Sequence, residues 1–133
     1  MVQQKIGFHH LCILVNDFNL SKHFYTEALG AECYMEWKRD DGLMSCLIQL
    51  NDGGVIEMVD NSKNVRQDHS ELFHGHFAHV AFHAENVGEA MQKALEHGAT
   101  LKEDVIEISN PYHMRLCSVF GPSGEVIEFL KYL

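Results

Sequence analysis

The spacing of apolar residues changes period in a fixed order along the chain. Residues 8–15 are apolar apart from their histidines and predict a strand. Asn16, Asp17 and Asn19 then offer N-cap oxygens, and Leu20, Phe24, Tyr25 and Ala28 recur at helical spacing until Gly30 stops the helix. Three short apolar runs follow at residues 33–37, 43–50 and 55–59, separated by turns at 38–42 and 51–54. Residues 60–75 are polar and aperiodic, which predicts a surface connection. The order then recurs. A strand is expected at 77–83, a helix at 87–97 with Asn86 as its cap and Gly98 as its stop, and strands at 100–108, 114–120 and 125–131.

The second half repeats the first. Val55-Ile56-Glu57 reappears as Val126-Ile127-Glu128, each after a glycine-bearing turn, Asp52-Gly53-Gly54 or Pro122-Ser123-Gly124. His10 and His79 are 69 residues apart, Gly30-Ala31 and Gly98-Ala99 are 68 apart, and Glu57 and Glu128 are 71 apart. A nearly constant offset in the same element order is the mark of a duplicated βαβββ unit. The expected fold is α+β, built from two tandem βαβββ modules. One domain is expected over residues 1–133, with module one at about 5–60, the connection at about 61–75 and module two at about 76–133.

Strand alternation gives the repeat chemical meaning. Side chains alternate across a strand, so His10, Cys12 and Leu14 share one face while Leu11, Ile13 and Val15 pack toward the helix. Ile56 and Met58 face the helix, which turns Glu57 to the concave side. Val80 and Phe82 do the same for His79, Ala81 and His83, and Ile127 and Phe129 for Glu128. A carboxylate inside an apolar strand is costly unless something pairs with it. Two imidazoles and two carboxylates neutralise a divalent first-row metal and leave positions open for Lewis-acid chemistry. Any one of these residues alone reads better as a hydrogen-bonded core histidine or a solvated glutamate; the set in repeat register is what points to metal. His9 falls on the Leu11 and Ile13 face and is set aside.

Composition narrows the class. The chain of 133 residues is 46% hydrophobic, enough for a real core, and its formal charge of −9 argues against a nucleic-acid surface. No apolar run is long enough to span a bilayer, and the first residues lack a signal-peptide core. Cys12, Cys33, Cys46 and Cys117 are scattered in apolar surroundings without a Cys-x-x-Cys, so buried reduced thiols and a cytoplasmic location are expected.

The chain resembles the vicinal oxygen chelate superfamily, which includes glyoxalase I, extradiol dioxygenases, fosfomycin-resistance thiol transferases and methylmalonyl-CoA epimerase. The resemblance rests on His10-Leu11-Cys12-Ile13-Leu14-Val15-Asn16-Asp17, Phe24-Tyr25 with Leu29-Gly30, Val55-Ile56-Glu57, His79-Val80-Ala81-Phe82, and Gly121-Pro122-Ser123-Gly124 with Glu128. It covers almost the whole chain and implies two modules whose curled mixed sheets form a metal-binding cleft. It implies a homodimer in many cases, sometimes with the cleft built across the subunit interface. The His10, Glu57, His79, Glu128 set is similar to short bacterial glyoxalase I. That likeness implies metal ligation by all four, Glu128 as the base, Glu57 as the second carboxylate, and Ni²⁺ or Co²⁺ as the favoured metal with Zn²⁺ as the alternative.

The implied substrate is the hemithioacetal of a 2-oxoaldehyde such as methylglyoxal with a thiol, with no nucleic acid or membrane as partner. By the same likeness Asn61 matches a glutathione-contacting asparagine. Leu14 departs from the family, standing just before Val15 where the bacterial enzyme has a carboxylate-holding arginine, so a thiol other than glutathione stays open. His83 is a further candidate near the substrate, and Arg115 with His113 for an anionic tail. His69, His74 and His76 read as solvated loop histidines, and Trp37 as core or interface. The rival readings are another metalloenzyme of the superfamily (epimerase, thiol transferase or dioxygenase) or a metal-free small-molecule binder.

Overall fold

A computed structural model describes residues 4–63 and 77–133. His69, His74 and His76 lie outside the described residues. Two four-stranded mixed sheets form, one from each half of the chain. In the first, β1 (Leu11–Val15), β2 (Glu32–Lys38), β3 (Met44–Gln49) and β4 (Val55–Asp60) stand in the order β1-β4-β3-β2. In the second, β5 (Val80–His83), β6 (Thr100–Ile108), β7 (Met114–Phe120) and β8 (Val126–Tyr132) stand in the order β5-β8-β7-β6. The first and last strands of each module run parallel and the other neighbours antiparallel. This is the repeated βαβββ unit expected from the 69-residue periodicity.

The helices follow their local signals with one change. Helix α1 (Phe18–His23) starts at Asp17, whose side chain accepts the Leu20 N–H at 3.1 Å. Residues 24–28 then widen into a π-helix, so the predicted continuous α-helix over 20–29 is half right. Within it the Thr26 hydroxyl donates to the Lys22 carbonyl at 2.9 Å, occupying an acceptor of the preceding turn. The wider turn buries two consecutive aromatics, Phe24 and Tyr25, completely. Helix α2 (Val87–Glu96) starts at Asn86, whose side chain accepts the Glu89 N–H at 3.0 Å. Gly30 and Gly98 follow the helical segments at φ 69 and 108, a region where a side chain is strained.

The strands β1 and β5 are shorter than expected, beginning at Leu11 and Val80. His10 and His79 therefore lie one residue before their strands. Among the cysteines, Cys46 and Cys117 are buried but Cys12 is exposed and Cys33 half-buried, which corrects the expectation of four buried thiols. Cys12 is exposed because it lies on the face of β1 that the helices leave open.

The two modules share one apolar core through their helical sides. Phe24, Tyr25, Ile48 and Met58 of module one and Met91, Ala94, Val119 and Ile127 of module two belong to one buried cluster. The His23 and His97 rings lie 5.5 Å apart, and Leu20 reaches within 3.7 Å of where a Cβ on Gly98 would stand. The β7–β8 turn docks on module one through Ser123, whose hydroxyl accepts the Asn16 N–H at 3.1 Å and lies 3.3 Å from the Ser21 hydroxyl. Glu125 folds back under this turn. Its carboxylate accepts the Ser123 N–H at 3.1 Å and occupies the space that a Cβ on Gly121 would need. Among the described residues, no helix is long and apolar enough to cross a membrane.

Burial pushes the Glu125 carboxyl above its ordinary value of 4.5, although the Glu125 and Ser123 backbone amides and nearby Tyr25 pull the other way. Burial and then the Glu125 charge push the Tyr25 hydroxyl upward. Because the folded carboxyl holds its proton more tightly than the unfolded one, its contribution to stability is full below pH 4.5. It is lost as pH rises through the folded value. Glu125→Gln keeps the amide acceptor and removes the buried charge. It is expected to hold or raise Tm at pH 7 and to flatten the fall in Tm above pH 4.5. Thermal melts of both proteins from pH 4 to pH 8 test this, and a fall in Tm at pH 7 of more than about 5 °C would show that the fold needs the ionised carboxylate.

Candidate metal centre

Register fixes which side chains stand together. In sheet one Cys12, Glu57, Leu47 and Met35 form one row across the strands, with Leu14, Val59, Ser45 and Trp37 as the next. In sheet two Ala81, Glu128, Ser118 and Glu103 form the matching row, with His83, Leu130, Leu116 and Ile106 next. The alternate rows carry Ile56, Met58, Ile127 and Phe129, all at or below 3% exposure, into the shared core. Burial of those four turns Glu57 and Glu128 outward.

Each glutamate meets its module's histidine. His10 Nε2 is 3.8 Å from Glu57 Oε2, and His79 Nε2 is 4.0 Å from Glu128 Oε2. The side chains are 34% and 25% exposed in the first pair and 44% and 22% in the second. Both are open to solvent, so a small ion can reach them. The donors are an imidazole nitrogen and a carboxylate oxygen in each pair, a chemistry that suits a divalent first-row ion.

The four residues are brought together as two pairs, not as one set. Among the described residues, no three or more His, Cys, Asp or Glu side chains gather closely enough to hold a metal. The reason is the packing of the modules. They meet through their helical sides, and each glutamate lies on the face of its sheet away from that shared core. One chain thus presents two separate histidine–glutamate pairs.

Two neighbours of the first pair were not selected from the sequence. His9 Nδ1 is 2.8 Å from His10 Nδ1, leaving Nε2 as the His10 nitrogen that faces Glu57. Alternation had placed His9 on the helical face, but His9 precedes β1, where alternation no longer applies. The Cys12 thiol donates to Glu57 Oε1 at 3.3 Å. Its place on the His10 face was legible, but nothing in the sequence showed that it touches the carboxylate.

The other candidates are more dispersed. His83 ends β5 in the row beside Glu128, with its ring 5.8 Å from Tyr132. It also borders a cleft of about 500 Å³ between the modules, lined mainly by apolar residues such as Leu11, Leu29, Phe82 and Phe129. Asn61 follows β4 directly, and its backbone N–H donates to the Val15 carbonyl at 2.8 Å. Arg115 pairs in register with Lys131 and Glu107, one residue out of step with the Glu128 face. Its guanidinium donates to Glu107 at 2.6 and 3.1 Å, which also holds the Glu107 carboxyl below its ordinary value. Arg115 therefore stands on the opposite face from Glu128. His113 is 3.8 Å from Glu107 in the same exposed cluster. Trp37 lies on the glutamate face of sheet one, in the row of Ser45 and Val59.

Two mixed βαβββ sheets, each presenting a histidine and a glutamate on its open face, make up the described chain. The family model for the Glyoxalase/Bleomycin resistance protein/Dioxygenase superfamily matches residues 7–129, and the chain belongs to that superfamily. Solved structures agree on the fold. A glyoxalase family protein from Enterococcus faecalis is 21% identical with a TM-score of 0.74, covering 94% of this chain and 97% of that one. A glyoxalase family protein from Bacillus cereus is 19% identical with a TM-score of 0.75, covering 100% and 99%. Glyoxalase I from Zea mays is 16% identical with a TM-score of 0.73, covering 91% of this chain but 43% of that one. No curated protein matches the sequence.

The contact between His9 and His10 carries a prediction. A partner on the second imidazole nitrogen orients a ligating histidine, and its loss lowers metal affinity about 10–100-fold. His9→Phe is expected to weaken divalent-metal binding by that factor with Tm unchanged. Calorimetric titration with Ni²⁺ on both proteins checks this; equal affinities would remove His9 from the site.

Proposed function

We propose that this protein is a glyoxalase I-like metal-dependent lyase. It isomerises the hemithioacetal of a 2-oxoaldehyde and a thiol to a 2-hydroxyacyl thioester. The observation that carries the reading is the paired geometry: the same histidine–glutamate contact, at 3.8 and 4.0 Å, at corresponding places in both modules. A binder with no metal has no use for two outward carboxylates each set against an imidazole.

Since one chain offers two half-sites, we propose that the working unit is a homodimer. In it His10 and Glu57 of one copy face His79 and Glu128 of the other. The exposed apolar residues Met35, Ile106 and Tyr132 on the glutamate faces support such a covering. A divalent ion, Ni²⁺ or Co²⁺ in preference to Zn²⁺, would be held by these four residues. It would supply Lewis-acid stabilisation of the negative charge that builds on the two vicinal substrate oxygens.

The chain's own residues do the proton chemistry. Glu128 takes the proton from the hemithioacetal carbon and returns it to the neighbouring carbonyl carbon, while the hydroxyl proton passes from the first carbon's oxygen to the second's. The first carbon rises to the oxidation level of a thioester while the second falls to an alcohol, so no external oxidant is needed. Glu57 holds the equivalent position on the other side and could serve the opposite substrate hand. His10 and His79 act as ligands only. Asn61, directly after β4, and His83, at the end of β5, would contact substrate. Arg115, proposed from the sequence for an anionic tail, would have to leave Glu107 and its side of the sheet to do so. The reaction is expected in a cytoplasmic protein acting as one domain of two modules.

The test uses chelator-stripped protein reloaded separately with Ni²⁺, Co²⁺, Zn²⁺, Mn²⁺ or Fe²⁺, with methylglyoxal–thiol adducts followed by absorbance. Turnover restored by metal and reduced at least 10²-fold in Glu128→Gln is expected. Stoichiometric metal without turnover on any adduct would discard the reaction and retain the centre. Ligand affinity that survives complete chelation would favour a metal-free binder.

A further inference from the structure

The two glutamate faces carry carboxylates on a largely apolar surface. The row of Glu57 is otherwise Cys12, Leu47 and Met35. The row of Glu128 is otherwise Ala81, Ser118 and Glu103. The adjoining rows add Leu14, Val59, Ser45 and Trp37 on one side and His83, Leu130, Leu116 and Ile106 on the other. No lysine or arginine is registered in any of these rows. Met35 is 53% exposed and Ile106 48%, so the apolar surface beside the carboxylates is open.

The nearby described cations are committed elsewhere. Arg39 reaches the end of the first face at Ser45, but all three of its guanidinium nitrogens are used. They donate to the Met44 and Asp60 carbonyls, the Ser45 hydroxyl and the Asp41 carboxylate, and the side chain is 10% exposed. Lys22 pairs with Glu36 on the core side of β2. Lys131 pairs with Glu85, and Arg115 with Glu107, both out of step with Glu128. Lys102 is 3.9 Å from Glu103, so it answers a carboxylate already present in the Glu128 row. Lys38 pairs in register with Met44, out of step with the Trp37 and Ser45 row, Lys93 lies on α2, and Lys5 and Lys63 lie outside the strands.

An anionic substrate tail would thus meet the Glu103 carboxylate and an apolar surface, with Glu57 and Glu128 already balanced by the ion they would hold and no free lysine or arginine among the described residues of either face. At low effective dielectric like charges a few ångströms apart repel, and an unpaired carboxylate on an apolar surface loses its hydration as well. A neutral alkyl or aryl group loses nothing there and gains contact with Leu14, Met35, Leu116 and Ile106.

We propose that the substrate body carried between the glutamate faces is uncharged and apolar apart from its two chelating oxygens. Any thiol that enters the adduct then lacks a carboxylate, which sets this site apart from one built for an anionic peptide thiol. This deepens the metal-lyase reading and rests on the centre proposed there.

The test compares metal-reconstituted protein on two methylglyoxal adducts that differ in one group, those of 2-mercaptoethanol and 3-mercaptopropionate. The neutral adduct is expected to have at least a tenfold higher kcat/KM. Leu14→Arg, which places a cation one row from Glu57, is expected to shift that ratio toward the anionic adduct at least fivefold. Equal or reversed preference in the unaltered protein would overturn the proposal. If metal binds but neither adduct turns over, the reaction reading falls by itself. Calorimetry of the metal-loaded protein with hexanohydroxamate and with its ω-carboxylate counterpart then decides the substrate class. Tenfold tighter binding of the neutral chelator sustains the proposal, and equal binding overturns it. Metal content, measured on the same sample, separates these results from loss of the centre itself, which would overturn both readings.

Discussion

Strand alternation around two buried pairs, Ile56 with Met58 and Ile127 with Phe129, is the constraint on which the rest depends. All four are at or below 3% exposure, and each pair brackets a glutamate. To keep the pairs inside, the strand must turn Glu57 and Glu128 outward; a one-residue slip would bury a charge in each module and expose the hydrophobics. The parallel neighbours β1 and β5 then bring His10 and His79 alongside, because Cys12 pairs with Glu57 and Ala81 with Glu128, two residues beyond each histidine. The chemistry of the site is thus held by the hydrophobic core rather than by the contacts between ligands.

The joint between modules decides how the two half-sites are oriented. The helical sides pack together, and the β7–β8 turn seats Ser123 on Asn16 and Ser21 while Glu125 lies close to Tyr25. This arrangement sends the glutamate faces away from the shared core. A site needing all four residues must then be completed from outside the chain. That gives the exposed apolar side chains on those faces a role, since surfaces such as Met35, Ile106 and Tyr132 would be a liability on an isolated protein.

Most of the architecture was legible because the chain repeats itself. The 69-residue recurrence set the element order, and the strands at 100–108 and 114–120 fall where the apolar pattern places them. Asp17 and Asn86 cap the helices as their side-chain chemistry predicts. The π-helical turn at 24–28 was hidden, since Phe24, Tyr25 and Ala28 satisfy ordinary helical spacing as well. The faces of Glu57, Glu128 and His83 followed from alternation. Arg115 did not, because its part in the site rested on chain proximity to a turn rather than on parity with Glu128. The separation of His10, Glu57, His79 and Glu128 into two pairs was not legible either. Alternation gives the face on which a residue lies, whereas the meeting of two modules depends on contacts such as those of Ser123 and Leu20, which leave no periodic trace.

The central claim is that a complete centre needs His10 and Glu57 from one copy and His79 and Glu128 from another. The most direct measurement mixes two inactive proteins, Glu57→Gln and Glu128→Gln, after dissociation and reassociation. In a mixed dimer one centre then carries both substitutions and the other carries neither. The account predicts that metal binding and turnover, low in each parent, reappear on mixing and reach about a quarter of the unaltered protein's level, given random pairing of subunits. No recovery in samples shown to contain mixed dimers would contradict it and place the working centre within a single chain.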